Sequence, residues 1–354
     1  MIKANKDLYL YHRQIAIWLL ICAGVIFGMI LLGGVTRLTN SGLSMVEWKP
    51  LVGIIPPLSQ ADWQELFLKY QQFPEYQKIN MGMTLDEFKP IFMYEYLHRV
   101  LGRLIGVIFV IPFMYFYVTK KLTPQLSMRL VVMLILGGCQ GLLGWYMVKS
   151  GLVDNPHVSQ YRLTAHLGLA VLIYAFIVWT TLDLINTKAN QLPNLALPSM
   201  MITLLIFVMI LSGGLVAGTR AGYAYSTWPL MGDSFLPAGL YAMQPAWLSA
   251  FEDITTIQFN HRVLAYIIAL FIAGFAVKAL KSKVSGKLRT AVIILLGLLV
   301  IQISLGISTL IFYVPISVAA AHQVGAVALL TAALFVSHSL NTKNPFKLKH
   351  GDCK

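Results

Sequence analysis

Charge is scarce in this sequence. Only 12% of its 354 residues are Asp, Glu, Lys or Arg, about half the share of an ordinary soluble domain. Acidic residues are the scarcer kind, 14 against 27 basic ones. With 57% hydrophobic residues, a soluble chain of this length could not bury its apolar surface inside itself, so lipid must be its solvent. That excludes a soluble globular enzyme. The net charge of +13 would suit nucleic acid, but no soluble region exists to carry a binding groove. The basic residues sit instead between apolar runs, as in the short loops of membrane proteins. Cysteine is equally sparse. Cys22 and Cys139 fall in apolar runs and read as core residues, and Cys353 lies at the tail. No CxxC pair suggests a metal site, and no cysteine in a long loop suggests a disulfide framework. The first apolar run lacks an A-x-A-like cleavage site and reads as a retained helix. Lys3, Lys6 and Arg13 anchor it and are too few for an organellar transit peptide.

Long apolar runs, by contrast, are abundant. Eight are long enough to span a bilayer as helices, at 15–36, 92–118, 130–149, 162–184, 198–219, 257–279, 290–312 and 317–338. Placing the amino terminus in the cytoplasm puts most Lys and Arg on that side, including Lys120, Lys121, Arg129, Lys188 and the cluster from Lys278 to Arg289. Most acidic residues then lie outside, and the even helix count returns both termini to the cytoplasm. Two external segments are long. Residues 37–91 hold Trp48 and Pro56-Pro57, and 220–256 hold Trp228-Pro229 and Trp247. Residues 59–72 read as an amphipathic piece lying along the surface. These segments either cap the bundle or roof a site.

Four marks recur in the same order. Gly33-Gly34-Val35-Thr36-Arg37 ends the first span, and the string from Gly213-Gly214 to Thr219-Arg220 ends the fifth. His98-Arg99-Val100-Leu101 is matched by His261-Arg262-Val263-Leu264. Gln140 to Gly144 is matched by Gln302 to Gly306, and Ala165-His166-Leu167-Gly168 by Ala321-His322-Gln323-Val324-Gly325. Two units of four helices have the same orientation, so the halves, 1–190 and 191–354, should pack around an axis along the membrane normal. The expected fold is an all-α membrane protein, eight transmembrane helices forming two parallel pseudo-symmetric four-helix bundles.

The histidines carry the chemistry. His98, His166, His261 and His322 sit one per even-numbered span, all near its outer end. An ionisable group there needs work or a partner. Imidazole is a good axial ligand for haem iron, and two can hold one porphyrin from opposite faces. Bonds of about 2 Å would leave the facing nitrogens about 4 Å apart. Each half offers one pair: His98 with His166, and His261 with His322. Gly102 and Gly106 lie on the His98 face, and Ala170, Ala265 and Ala326 follow the other three. Such small residues leave room for a flat macrocycle, or simply tighten helix packing. His12, His157, His338 and His350 have no counterpart in the repeat and stay outside the site.

Glu95 lies three residues before His98 on the same face, whereas Gln258 holds the matching place before His261. A carboxylate beside one pair only suggests proton transfer there. An ion pair with Arg99 or Arg103 is the alternative. Arg37 and Arg220 gather with other arginines near the outer helix ends. They are candidates for haem propionates, for loop contacts, or for interfacial snorkelling.

The strings GGVTRLTNSGLSMVEWKPLVGIIPP at 33–57, EYLHRVLGR at 95–103, LTAHLG at 163–168, GGLVAGTRAG at 213–222, STWPLMG at 226–232, FNHR at 259–262 and AAHQVG at 320–325 resemble the haem A synthase (CtaA/Cox15) family over nearly the whole chain. The long first external segment without cysteine is similar to its proteobacterial and mitochondrial subgroup. The resemblance implies oxidation of the C8 methyl of haem O to a formyl group, with water as the oxygen source, in a bacterial inner membrane. Glu95 and His98 fall on the family's EXXH motif. The resemblance makes Glu95 catalytic, His98 and His166 the ligands of substrate haem O, and His261 and His322 the ligands of a resident haem b that carries electrons away. Implied partners are haem O and haem A, a quinone or other membrane electron acceptor, haem O synthase and cytochrome oxidase assembly proteins, and no nucleic acid. A b-type cytochrome exchanging electrons with quinone, or a transporter of two parallel halves, would share parts of this pattern.

Overall fold

The computed structural model describes residues 2–47, 55–153, 156–185 and 192–341, with side chains throughout except in 2–10 and at 193. Trp48, Lys188, Cys353, His350 and the tail lysines lie outside the described residues. Eight helices are long and apolar enough to cross a membrane. They are α1 (Ile2–Leu38), α4 (Leu85–Val118), α5 (Pro124–Lys149), α6 (Gln160–Ile185), α7 (Pro193–Thr219), α9 (Ile254–Lys281), α10 (Gly286–Ile311) and α11 (Ile316–Asn341). Three short helices, α2 (Gln60–Tyr70), α3 (Pro74–Lys78) and α8 (Ser249–Glu252), lie in the two long connections. The protein is an all-α, multi-pass membrane protein, and each of the eight apolar runs is one of these helices.

The helices outrun the apolar runs where polar first turns are capped. In α4 the Thr84 hydroxyl accepts from the Glu87 amide while the Glu87 side chain accepts from the Thr84 amide. This capping box satisfies amides that would otherwise be orphaned. It starts the helix at Leu85, seven residues before its apolar run. Thr123, whose hydroxyl accepts from the Leu126 amide, starts α5 with Pro124 in the first turn. Asp253 and Ser285 cap α9 and α10.

In the first half α1 packs on α4 and α6, and α5 packs on the same two helices. In the second half α7 packs on α9 and α11, and α10 packs on those two. The packing order is the same in both. Between the halves α6 meets α7 and α11, and α1 meets α11. A continuous core of Ile, Leu, Val and Phe runs through all eight helices. Large apolar side chains such as Ile111, Leu270 and Val300 face outward, as lipid contact requires. Cys22 is buried as expected, but Cys139 is exposed on α5. A thiol is apolar enough to sit on that outward face, so its apolar neighbours said nothing about burial.

Residues 59–72 do not simply lie on a surface. The Ser59 capping box starts α2. Trp63, Phe67 and Tyr70 then pack with Phe88, Phe92 and Tyr96 of α4 into a separate aromatic cluster. The first long connection is thereby fastened to the helix that bears His98.

Candidate functional site

Each of the four repeated histidines leans on a glycine of a neighbouring helix. A Cβ at Gly33 of α1 would stand 3.0 Å from His98 Cε1 on α4. At Gly144 of α5 it would stand 2.9 Å from His166 Cε1 on α6. The same positions in the second half are Gly213 of α7, 3.5 Å from His261, and Gly306 of α10, 2.8 Å from His322. At about 3 Å or below a real methyl would press on the ring, so glycine is what gives His98, His166 and His322 their places against the next helix, whereas 3.5 Å at Gly213 is ordinary contact. The repeat of Gly144 with Gly306 therefore has a physical cause.

A second repeated contact sets the depth of two rings. Gln140 Nε2 donates to the main-chain carbonyl of His166 at 3.0 Å, and Gln302 Nε2 to that of His322 at 2.9 Å. His98 lies within electrostatic range of His166, and His261 of His322. The rings form few bonds with protein. The Nδ1 atoms of His98, His166 and His322 are buried and meet no hydrogen-bonding group among the described residues.

The long connections hang over the histidines from matched side chains. In the first half Glu95 is buried. Its Oε2 accepts from Ser44 Oγ and from the Met45 amide, each at 2.8 Å, and its Oε1 pairs with Arg99 at 2.5 Å. Arg99 in turn donates to the carbonyls of Met45 and Glu47. In the second half Gln258 and Arg262 are buried. They donate to the carbonyls of Tyr225, Thr227 and Leu230. Both segments are tied down one turn from a histidine, but only the first tie contains a carboxylate. Ser44 could not be found from spacing, because its partner lies 51 residues away.

Arg37 and Arg220 meet at the boundary of the halves. Arg37 donates to the Ala217 and Gly218 carbonyls that end α7, and Arg220 to Asn40 Oδ1 at 2.8 Å. Both arginines make loop and helix-end contacts. Arg220 ends α7 at φ 58°, a left-handed conformation that usually needs glycine. Its bond to Asn40 helps hold it there. Gly102 and Gly106 do not touch a histidine ring. The nearest atom to a Cβ on Gly102 is Met29 Cε, and Gly106 faces open space.

The donor set narrows the chemistry. Among the described residues no three His, Cys, Asp or Glu side chains gather as a metal site. Two imidazoles are too few for a bare transition metal, but they suffice for an iron whose other four ligands come from a porphyrin. The glycine cradles and the scarcity of protein partners for the rings fit the same group.

The model of the family described as COX15-CtaA, cytochrome oxidase assembly protein, matches residues 16–334. Among curated proteins, the chain is 53% identical over 334 residues to "Heme A synthase" of Nitrosospira multiformis, covering 93% of this chain and 94% of that one. It is 52% identical over 336 residues to the protein of the same name from Nitrosomonas eutropha, covering 93% and 94%. It is 48% identical over 342 residues to that of Paramagnetospirillum magneticum, covering 94% and 95%. These matches reach from the first membrane helix to the last and take in both histidine pairs, so the chain belongs to the COX15-CtaA family of cytochrome oxidase assembly proteins.

Proposed function

We propose that this protein is a membrane oxidoreductase that converts haem O to haem A. The observation that carries the reading is the twofold recurrence of an imidazole pair, each ring lying on a glycine of the adjacent helix. The names of the relatives supply the reaction. In this reading the half 1–190 takes substrate haem O between His98 and His166. The half 191–354 holds a resident haem b between His261 and His322. The C8 methyl becomes a formyl group as one water is consumed and four electrons and four protons leave. A bound haem b supplies a one-electron exit toward a membrane quinone. The division of labour rests on the one asymmetry between the halves, Glu95 against Gln258.

Glu95 is the proton-handling group. It stands one helical turn from His98, and its carboxylate is held by Arg99, Ser44 and the Met45 amide. Those bonds fix its position and keep the 41–47 segment over the first pair. A farnesylated tetrapyrrole suits a site reached from lipid. The clustering of Lys and Arg on the side opposite the long connections supports an inner-membrane location with both termini in the cytoplasm.

Two measurements test the reading. Pyridine haemochrome analysis with chromatography of pigment extracted from the purified protein should give haem b together with haem O, haem A or an alcohol between them. Colourless protein would end the proposal. Glu95→Gln copies the residue at Gln258. It should keep haem while product formation falls by about 100-fold or more, the range of a lost general acid or base. Full product formation in that variant would favour a b-type cytochrome instead.

A further inference from the structure

One hydrogen bond sets His261 apart from the other three histidines. Its Nδ1 lies 3.0 Å from Ser212 Oγ, whereas Nδ1 of His98, His166 and His322 has no partner among the described residues. Ser212 directly precedes Gly213, the glycine on which His261 leans. The repeat places Leu32 at the corresponding position before Gly33. One turn of α7 thus supplies both a cradle and a hydroxyl, while the matching turn of α1 supplies the cradle alone.

A neutral imidazole has one N–H and one lone pair, and a hydrogen bond to one nitrogen decides which is which. A serine hydroxyl can donate or accept; once Nε2 of His261 binds iron, Nδ1 keeps its proton and Ser212 Oγ accepts from it. The same bond fixes the ring plane and makes Nε2 a stronger donor. Partners of this kind govern how tightly a metal is held. None of the other three rings has such a partner at Nδ1; His166 meets Gln140 Nε2 at 3.4 Å through its Nε2.

We propose that Ser212 is a positioning residue that locks His261 as an Nε2 ligand and so makes the second half the resident haem site. The first half, lacking such a lock, can release its tetrapyrrole as product. This rests on the reading that the two pairs bind haem. It gives a structural reason, independent of Glu95, for which pair keeps its cofactor.

The test uses the full-length protein purified with its native haem, mixed with excess apomyoglobin as a haem scavenger. Haem b loss is followed by absorbance, and the midpoint potential and low-spin ferric EPR signal are recorded. Ser212→Ala should release haem b about 10-fold faster. Its midpoint should move upward, because a weaker donor stabilises ferric iron less. Ser212→Thr, which keeps a hydroxyl, should restore both. Leu32→Ser should slow release of the tetrapyrrole at the first pair. A Ser212→Ala protein with unchanged release and midpoint overturns the proposal, and so does equal loss from both pairs. His261→Ala separates the two levels of the argument. If it leaves haem b in place, the assignment of that pair is wrong; if haem b is lost there and Ser212→Ala is silent, only the role of Ser212 fails.

Discussion

Arg37 Nη2 donates to the carbonyl of Ala217 at 2.9 Å and joins the end of α1 to the end of α7 across 180 residues of sequence. Free carbonyls at a helix end carry partial negative charge, and a guanidinium there is favourable. Arg37→Met keeps the apolar stem and removes the bond. The contact is partly exposed, so we expect a loss of about 1 kcal/mol. It should be read as faster thermal inactivation in detergent with an unchanged haem content. A fall in haem content instead would assign Arg37 to a propionate.

Gly306→Ala should empty one ring position. The added methyl would stand 2.8 Å from His322 Cε1. Alanine otherwise favours a helix over glycine by about 1 kcal/mol, so propensity and site pull in opposite directions. Gly137, whose Cβ would meet nothing within 4 Å, is the control. Gly137→Ala should leave the spectrum of the purified protein intact, whereas Gly306→Ala should lose the bis-imidazole signal of the second pair. Identical spectra from the two variants would remove the cradle argument.

The aromatic cluster of the first connection should respond to pH. Burial pushes the Glu75 carboxyl up to about 7, and Tyr70 donates to it at 3.1 Å. Its folded pKa lies above its unfolded one, so the protonated form favours the folded cluster. That stabilisation is complete below about pH 4.5 and fades as pH rises through 7. Protection factors across residues 60–80, which divide out the base-catalysed intrinsic exchange rate, should fall between pH 5 and pH 8. In Glu75→Gln, which is neutral throughout, that pH dependence should vanish. Persistence of the full dependence in the variant would place its origin elsewhere.

Asp183 of α6 accepts from Arg129 of α5 at 2.6 Å and bonds His338 of α11 at 2.8 Å. It is buried, and so is His338. Removing the charge from a buried pair leaves its partner poorly compensated. Asp183→Asn should cost about 3 kcal/mol, measured by denaturation in mixed micelles. A variant as stable as the parent would mean that water already reaches the cluster.

The sequence carried the eight spans because lipid imposes one length on every crossing helix, and apolar runs report that length directly. It carried the order of His98, His166, His261 and His322, one to each of four spans, because the repeat kept it. What it could not carry were contacts whose two ends lie on different helices. Gly144 stood out as a repeat mark but gave no sign that His166 rests on it. Ser212 has no repeat counterpart at all and so left no periodic trace. His338, set aside for the same reason, bonds Asp183 of the other half. Arg37 and Arg220 were correctly placed at helix ends, yet residue type alone could not distinguish a propionate from the carbonyls of α7 and the side chain of Asn40.

The bonds between the halves occur at several depths. Arg37 reaches Ala217, Gln323 reaches the carbonyl of Ile30, Tyr174 meets Thr331, and His338 meets Asp183. Cross-ties spread along the membrane normal oppose tilting of one bundle against the other, the rocking motion on which alternating access depends. A frame braced in this way holds the two imidazole pairs at constant separation; if electrons pass between haems at the two pairs as proposed, their tunnelling distance would stay the same from one turnover to the next.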